Sequence, residues 1–155
     1  MSTMLKQFCL VTVLSLAAAG AAAENVVTAG EANPALGGYS PVSYFEHGEP
    51  RLGSPEYQAT HDGSVYYFTS AEQLERFLEN PAAYAPAFPH HCPYNLALGR
   101  AAAIDPTNFR IVGGQLLIFH RSEEMDGLQK WNGHDADEQE KLLERARGNF
   151  KLLRF

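Results

Sequence analysis

Hydrophobic and polar positions divide the chain into short elements. Tyr57 to His61 and Ser64 to Phe68 are rich in residues that favour strands, and they flank Asp62-Gly63. An Asp-Gly pair accepts the positive φ values of a two-residue turn, so residues 57–68 are predicted to form a β-hairpin. Residues 108–119 repeat the pattern, with Gly113-Gly114 as the turn between Phe109-Arg-Ile-Val112 and Gln115-Leu-Leu-Ile-Phe119. Ser70-Ala-Glu-Gln73 has capping-box spacing, and Leu74, Phe77 and Leu78 stand at i, i+3 and i+4, which predicts a helix to about Asn80. Pro81 ends it, and Pro81 to Tyr84 reads as one further helical turn. Ser40 is predicted to cap a short turn starting at Pro41. Ser122 is predicted to cap a helix carrying Met125, Leu128 and Trp131. Asp137-x-x-Glu140 opens a last helix with Leu142, Leu143, Ala146 and Phe150 along one side. Pro86, Pro89 and Pro93 make residues 85–95 irregular. Leu96 to Ala103 fits a short helix or an extended run equally well. Two hairpins packed with three or four short helices define a small α+β domain.

The first residues follow a different logic. Lys6 precedes an apolar run from Phe8 to Ala19, and Ala21-Ala22-Ala23 supplies an A-x-A site. That order predicts a secretory signal peptide over 1–23, cleaved after Ala23, and a periplasmic or secreted protein. A lead-in over 24–36, rich in small and polar residues, is expected to be flexible, with the domain occupying 37–155. The apolar run is shorter than the ~20 residues a membrane span requires, and no second run follows, so no span is expected in the mature chain. Twelve basic against 18 acidic side chains give a formal charge of −6. Losing Lys6 makes the balance more acidic still. Without a basic stripe, nucleic acid is excluded as a natural partner.

Cleavage also removes Cys9 and leaves Cys92 as the sole thiol, so no intramolecular disulfide can form. Cys92 lies in Pro89-His-His-Cys-Pro93, the strongest chemical signal in the chain. Imidazole and thiolate are the ligands that copper and zinc prefer. On an extended backbone His90 and Cys92 point to one side and His91 to the other. A zinc site needs three or four ligands, so others must come from elsewhere. His120 and His61, at hairpin ends, are the candidates, with His47 and His134 weaker. The expected metal set is therefore His90, Cys92, His91 and His120, in a copper- or zinc-binding accessory protein. Two alternatives stay open. A protonated His90 or His91 would lower the thiol pKa and make Cys92 a redox thiol, its partner sulfur coming from another molecule. A non-catalytic module binding another exported protein is the third reading. The plainest account is a packed cysteine between two solvated histidines. Most aromatic residues read as core.

The order of motifs resembles the YHS domain. Tyr66-Tyr-Phe-Thr-Ser-Ala-Glu-Gln-Leu-Glu-Arg-Phe-Leu-Glu-Asn-Pro-Ala-Ala-Tyr84 matches its Y-Y-F-C-S-x-x-C-K-x-x-F-x-x-N-P-x-x-Y run. Gly37-Gly-Tyr-Ser-Pro-Val-Ser-Tyr-Phe45, Cys92-Pro-Tyr94 and Asp105 to Ile118 look like the corresponding segments of exported bacterial YHS-domain proteins, some of which carry selenocysteine. The resemblance covers about residues 36–131 and implies the fold. The cysteines of the metal-sensing relatives fall here on Ser43, Thr69 and Gln73. None of these is a thiolate, so the resemblance does not bring that metal site with it.

Overall fold

The computed structural model describes residues 33–153, and the expected signal peptide lies outside them. The small α+β architecture is as the pattern predicts, with both hairpins in place. Strands β1 (Ser54–His61) and β2 (Ser64–Phe68) pair antiparallel through Gln58↔Tyr67, Ala59↔Tyr66, Thr60↔Val65 and His61↔Ser64. Asp62 and Gly63 take φ of 48° and 76°, the geometry of a primed turn, whose twist matches that of the strands. Side chains alternate across a strand, so Ser64, Tyr66 and Phe68 all enter the interior.

Before this hairpin stands helix α1 (Ser43–His47), and after it α2 (Ala71–Glu79) and α3 (Pro81–Tyr84). The Ser70 hydroxyl accepts the Gln73 N–H and caps α2. Phe77 then packs against Phe68 at 4.9 Å and Tyr66 at 5.3 Å between ring centroids. Gln73 does not complete the expected capping box. Its side chain turns inward, where Oε1 accepts from the Ser40 hydroxyl at 2.7 Å and the Thr69 N–H at 3.2 Å. Its amide donates to Glu46 at 2.8 Å. Ser43 joins by donating to the Ser40 carbonyl. Ser43, Gln73 and the Thr69 backbone thus meet through Ser40 in one hydrogen-bonded cluster. The lead-in is also shorter than expected: Ala35 and Leu36 are buried, in a turn of 3-10 helix over Ala35–Gly38.

Strands β3 (Phe109–Val112) and β4 (Gln115–Ile118) form the second hairpin. Gly113 and Gly114 supply φ of 55° and 77° at its turn. Strand β4 is buried on both faces and separates two cores. Leu116 and Ile118 join Tyr44, Tyr66, Phe68 and Phe77 on one side. Leu117, with Phe119 just beyond the strand, joins Cys92, Leu96, Trp131, Leu142 and Ala146 on the other.

The second core is closed by α4 (Pro93–Ala97), α5 (Gly127–Asn132) and α6 (Ala136–Leu153). Helix α4 begins inside the stretch expected to be irregular, and of the ambiguous run 96–103 only Leu96 and Ala97 are helical. Pro93 is tolerated because an N–H at the first helical position would have no intrahelical acceptor. Asp126, not Ser122, caps α5 by accepting the Gln129 N–H at 3.0 Å. Ser122 instead accepts the Met125 N–H in a tight turn. Asp135 caps α6 through the Glu138 N–H, so Ala136 rather than Asp137 opens it. Among the described residues no helix is long and apolar enough to cross a membrane.

Candidate functional site

The Pro89–Pro93 segment divides its chemistry between two environments. Cys92 has 0% of its surface exposed and lies among Phe88, Leu96, Leu117, Phe119 and Trp131. Its N–H donates to the Ala102 carbonyl and its carbonyl accepts the Leu96 N–H, so it is fixed at the start of α4. Gly127 approaches the sulfur so closely that a Cβ there would stand 2.9 Å from Sγ. The glycine is required by contact, since a methyl group would enter the space of the sulfur.

His90 breaks the alternation on which the sequence-based pairing with Cys92 relied. Its φ is 65°, in the left-handed region, where a residue with a Cβ is uncommon. The i, i+2 rule of an extended chain does not hold through such a residue. The His90 Nε2 stands 3.3 Å from the Ser64 hydroxyl, at the turn end of the first hairpin. His91 places Nδ1 2.8 Å from the Pro89 carbonyl. A carbonyl only accepts, so Nδ1 carries the proton, and in the neutral ring the Nε2 lone pair is left available. Its ring meets Phe150 of α6 edge-on at 5.7 Å.

These histidines border a cleft of about 360 Å³. Its walls include His61, Ser64 and Tyr66 from the first hairpin, His90 and His91 from the proline-rich segment, and Phe150 from α6. Tyr66 also borders it, is 0% exposed, and has a hydroxyl with no hydrogen-bond partner among the described residues. Burial pushes its phenol up to about 12; the Ser64 hydroxyl pulls the other way, near enough to favour the anion but outside hydrogen-bonding geometry. Asp62 stands at the rim, its carboxylate 3.9 Å from His61 Nε2.

Of the four residues expected to hold copper or zinc, the structure brings His90 and His91 to one cleft and adds His61. It does not bring Cys92 or His120 there. His120 instead donates from Nδ1 to the Ala103 carbonyl at 2.8 Å, and neither residue borders the cleft. Among the described residues, no three His, Cys, Asp or Glu side chains stand together as ligands for a metal ion. Sequence reasoning missed Ser64, Tyr66 and Phe150 as wall residues. Alternation marked Tyr66 as core, which it also is, and no local signal showed that its hydroxyl would lack a partner. Comparison of the chain with protein-family models, with curated proteins and with solved structures finds no match.

Proposed function

We propose that the protein is an exported YHS-like domain that works as a non-catalytic binding module of the cell envelope, with the histidine-lined cleft as its working site. The observation that carries this reading is the cleft itself, which gathers His61, His90 and His91 from two separate segments of the chain around one opening. His91, oriented through Pro89, and His90, held beside Ser64, supply further polar contacts around it. The closed packing around Cys92 weighs against thiol redox chemistry, which needs an accessible thiolate. The meeting of Ser43, Thr69 and Gln73 around one cluster supports the YHS resemblance.

A second reading keeps copper or zinc as the occupant. It is favoured by the Nδ1–H to carbonyl bond of His91, which is how proteins commonly orient an imidazole whose Nε2 faces a metal. With few protein ligands at hand, such an ion would complete its shell with water and exchange readily, which suits handling better than storage.

One experiment addresses both readings. The protein is purified gently from its own envelope, and bound small molecules and metals are released and measured by mass spectrometry and elemental analysis. A near-stoichiometric species is expected, lost in His90→Ala/His91→Ala and retained in Cys92→Ala. Full retention in the double histidine variant rules the cleft out. Absence of copper and zinc, together with no change in melting temperature on adding either, removes the metal reading.

A further inference from the structure

We infer that one end of the molecule is a docking face for a bilayer surface that carries anionic lipid. The face is formed where the last turn of α6 meets the chain that follows α4. Leu96, Gly99, Arg100, Ala101, Leu152 and Leu153 line one groove there. The Asn149 amide donates to the Leu96 carbonyl at 2.7 Å and holds α6 against α4. None of these residues borders the histidine-lined cleft, so the inference stands independently of the function proposed above.

The first observation is apolar exposure. Leu152 and Leu153 have 75% and 54% of their surface exposed. Leu142, Leu143 and Ala146 of the same helix are buried, so its apolar stripe runs on past the core to Leu153. The second observation is the distribution of charge. The two stretches of chain that meet here, 80–104 and 145–155, contain five of the 12 basic residues and none of the 18 acidic ones. An acidic chain thus presents a basic end. Arg100 lies in the groove and Lys151 adjoins Leu152, and neither has an acidic partner among the described residues. Glu144, the last acid of α6, is eight residues before Leu152. That is about 12 Å along the axis, beyond the ~8–10 Å over which exposed charges act in salt. Asp105, the first acid after residue 104, is paired with Arg121.

Cations beside exposed leucines at a helix end suit a membrane surface. Lipid phosphates meet Arg100 and Lys151 while Leu152 and Leu153 enter the acyl boundary. A second copy of the chain would bring these same cations against each other, so the charge pattern favours an anionic partner. A bilayer also accepts projecting leucines without a matching shape.

Vesicle sedimentation with the purified protein tests this. Phosphatidylcholine vesicles with about 30% phosphatidylglycerol are expected to bind it, and raising salt from about 0.1 M to about 0.5 M should weaken binding several-fold. Leu152→Ser/Leu153→Ser should weaken it about tenfold or more. Arg100→Gln and Lys151→Gln should each weaken it about fivefold. All four positions are exposed, so these variants keep the fold. Leu78→Ser, at an exposed leucine of α2, should bind as the parent does. Every variant shares one N-terminus, so the apolar run over 8–19 accounts for no difference among them. No binding at about 1 mM lipid, tenfold above the half-point of a single acyl chain, overturns the face. Parental affinity in the double leucine variant overturns it too. Equal binding to pure phosphatidylcholine overturns the assignment to anionic lipid. Self-association without vesicle binding, abolished in the double leucine variant, gives the face to a second copy and overturns the lipid.

Discussion

The two cores on either side of β4 are built from different material, and each buries one aromatic polar group that has no partner among the described residues. On the side of the first hairpin, aromatic rings dominate, the buried Ser40, Ser43 and Gln73 satisfy one another, and the Tyr66 hydroxyl is left open. On the side of α6, aliphatic residues surround one thiol and one indole, and the indole N–H is left open. His90 and Cys92 make a second contrast. Two residues apart, one stands exposed beside Ser64 and the other is closed off among hydrocarbon. Proximity in sequence says little about shared surroundings when one residue is left-handed and the other leads into a helix.

The largest effect expected from breaking either core comes from Phe77→Ala on the aromatic side. Phe77 contacts both Tyr66 and Phe68, so its truncation should cost about 3–5 kcal/mol in urea unfolding. On the other side, Gly127→Ala places a methyl group against Cys92 Sγ and the His120 carbonyl, and should cost about 1–3 kcal/mol. Removing the sulfur relieves the first of these contacts. A double-mutant cycle with Cys92→Ala should therefore show a favourable coupling of about 0.5–3 kcal/mol, and additivity would disprove the contact.

Cys92→Ser sharpens the comparison further. It puts a hydroxyl where hydrocarbon surrounds the thiol and should cost about 1–3 kcal/mol. In the parent protein, alkylation of Cys92 should proceed only as fast as the fold opens, and should accelerate with urea in step with unfolding. Rapid alkylation of the native protein would show the thiol to be accessible.

The smallest effect concerns Asp126. The Asn108 amide and then the Gln129 N–H hold its carboxyl below the ordinary value, with Arg121 adding a smaller pull. A carboxylate whose pKa is depressed by folding stabilises the fold above its unfolded pKa. That contribution is lost as the pH falls through the lower, folded value. Asp126→Ala should cost about 0.5–2 kcal/mol near neutral pH, as loss of an N-cap does. The difference from the parent should shrink as acid protonates Asp126, below about pH 4. A difference that is independent of pH would remove the charge from the explanation.

Much of the fold was legible because its signals are local. Asp62-Gly63 and Gly113-Gly114 state their turns within two residues, and the α2 cap and apolar stripe lie within nine. The site was legible only in part. The sequence marked His90 and His91 as chemically notable, and the cleft contains both. It also paired His90 with Cys92, on the assumption of an extended backbone that His90 does not adopt.

The chain's own pattern determined where strands and helices form, because hydrogen bonding and side-chain periodicity act over a few residues. Which side of β4 each apolar residue joins was decided by tertiary packing. The same packing set Gln73 turning inward to Ser40, Gly127 pressing on Cys92, and Tyr66 and Trp131 buried with unanswered polar groups. Burial and hydrogen-bond partnership depend on residues tens of positions away, and only the folded chain brings those together.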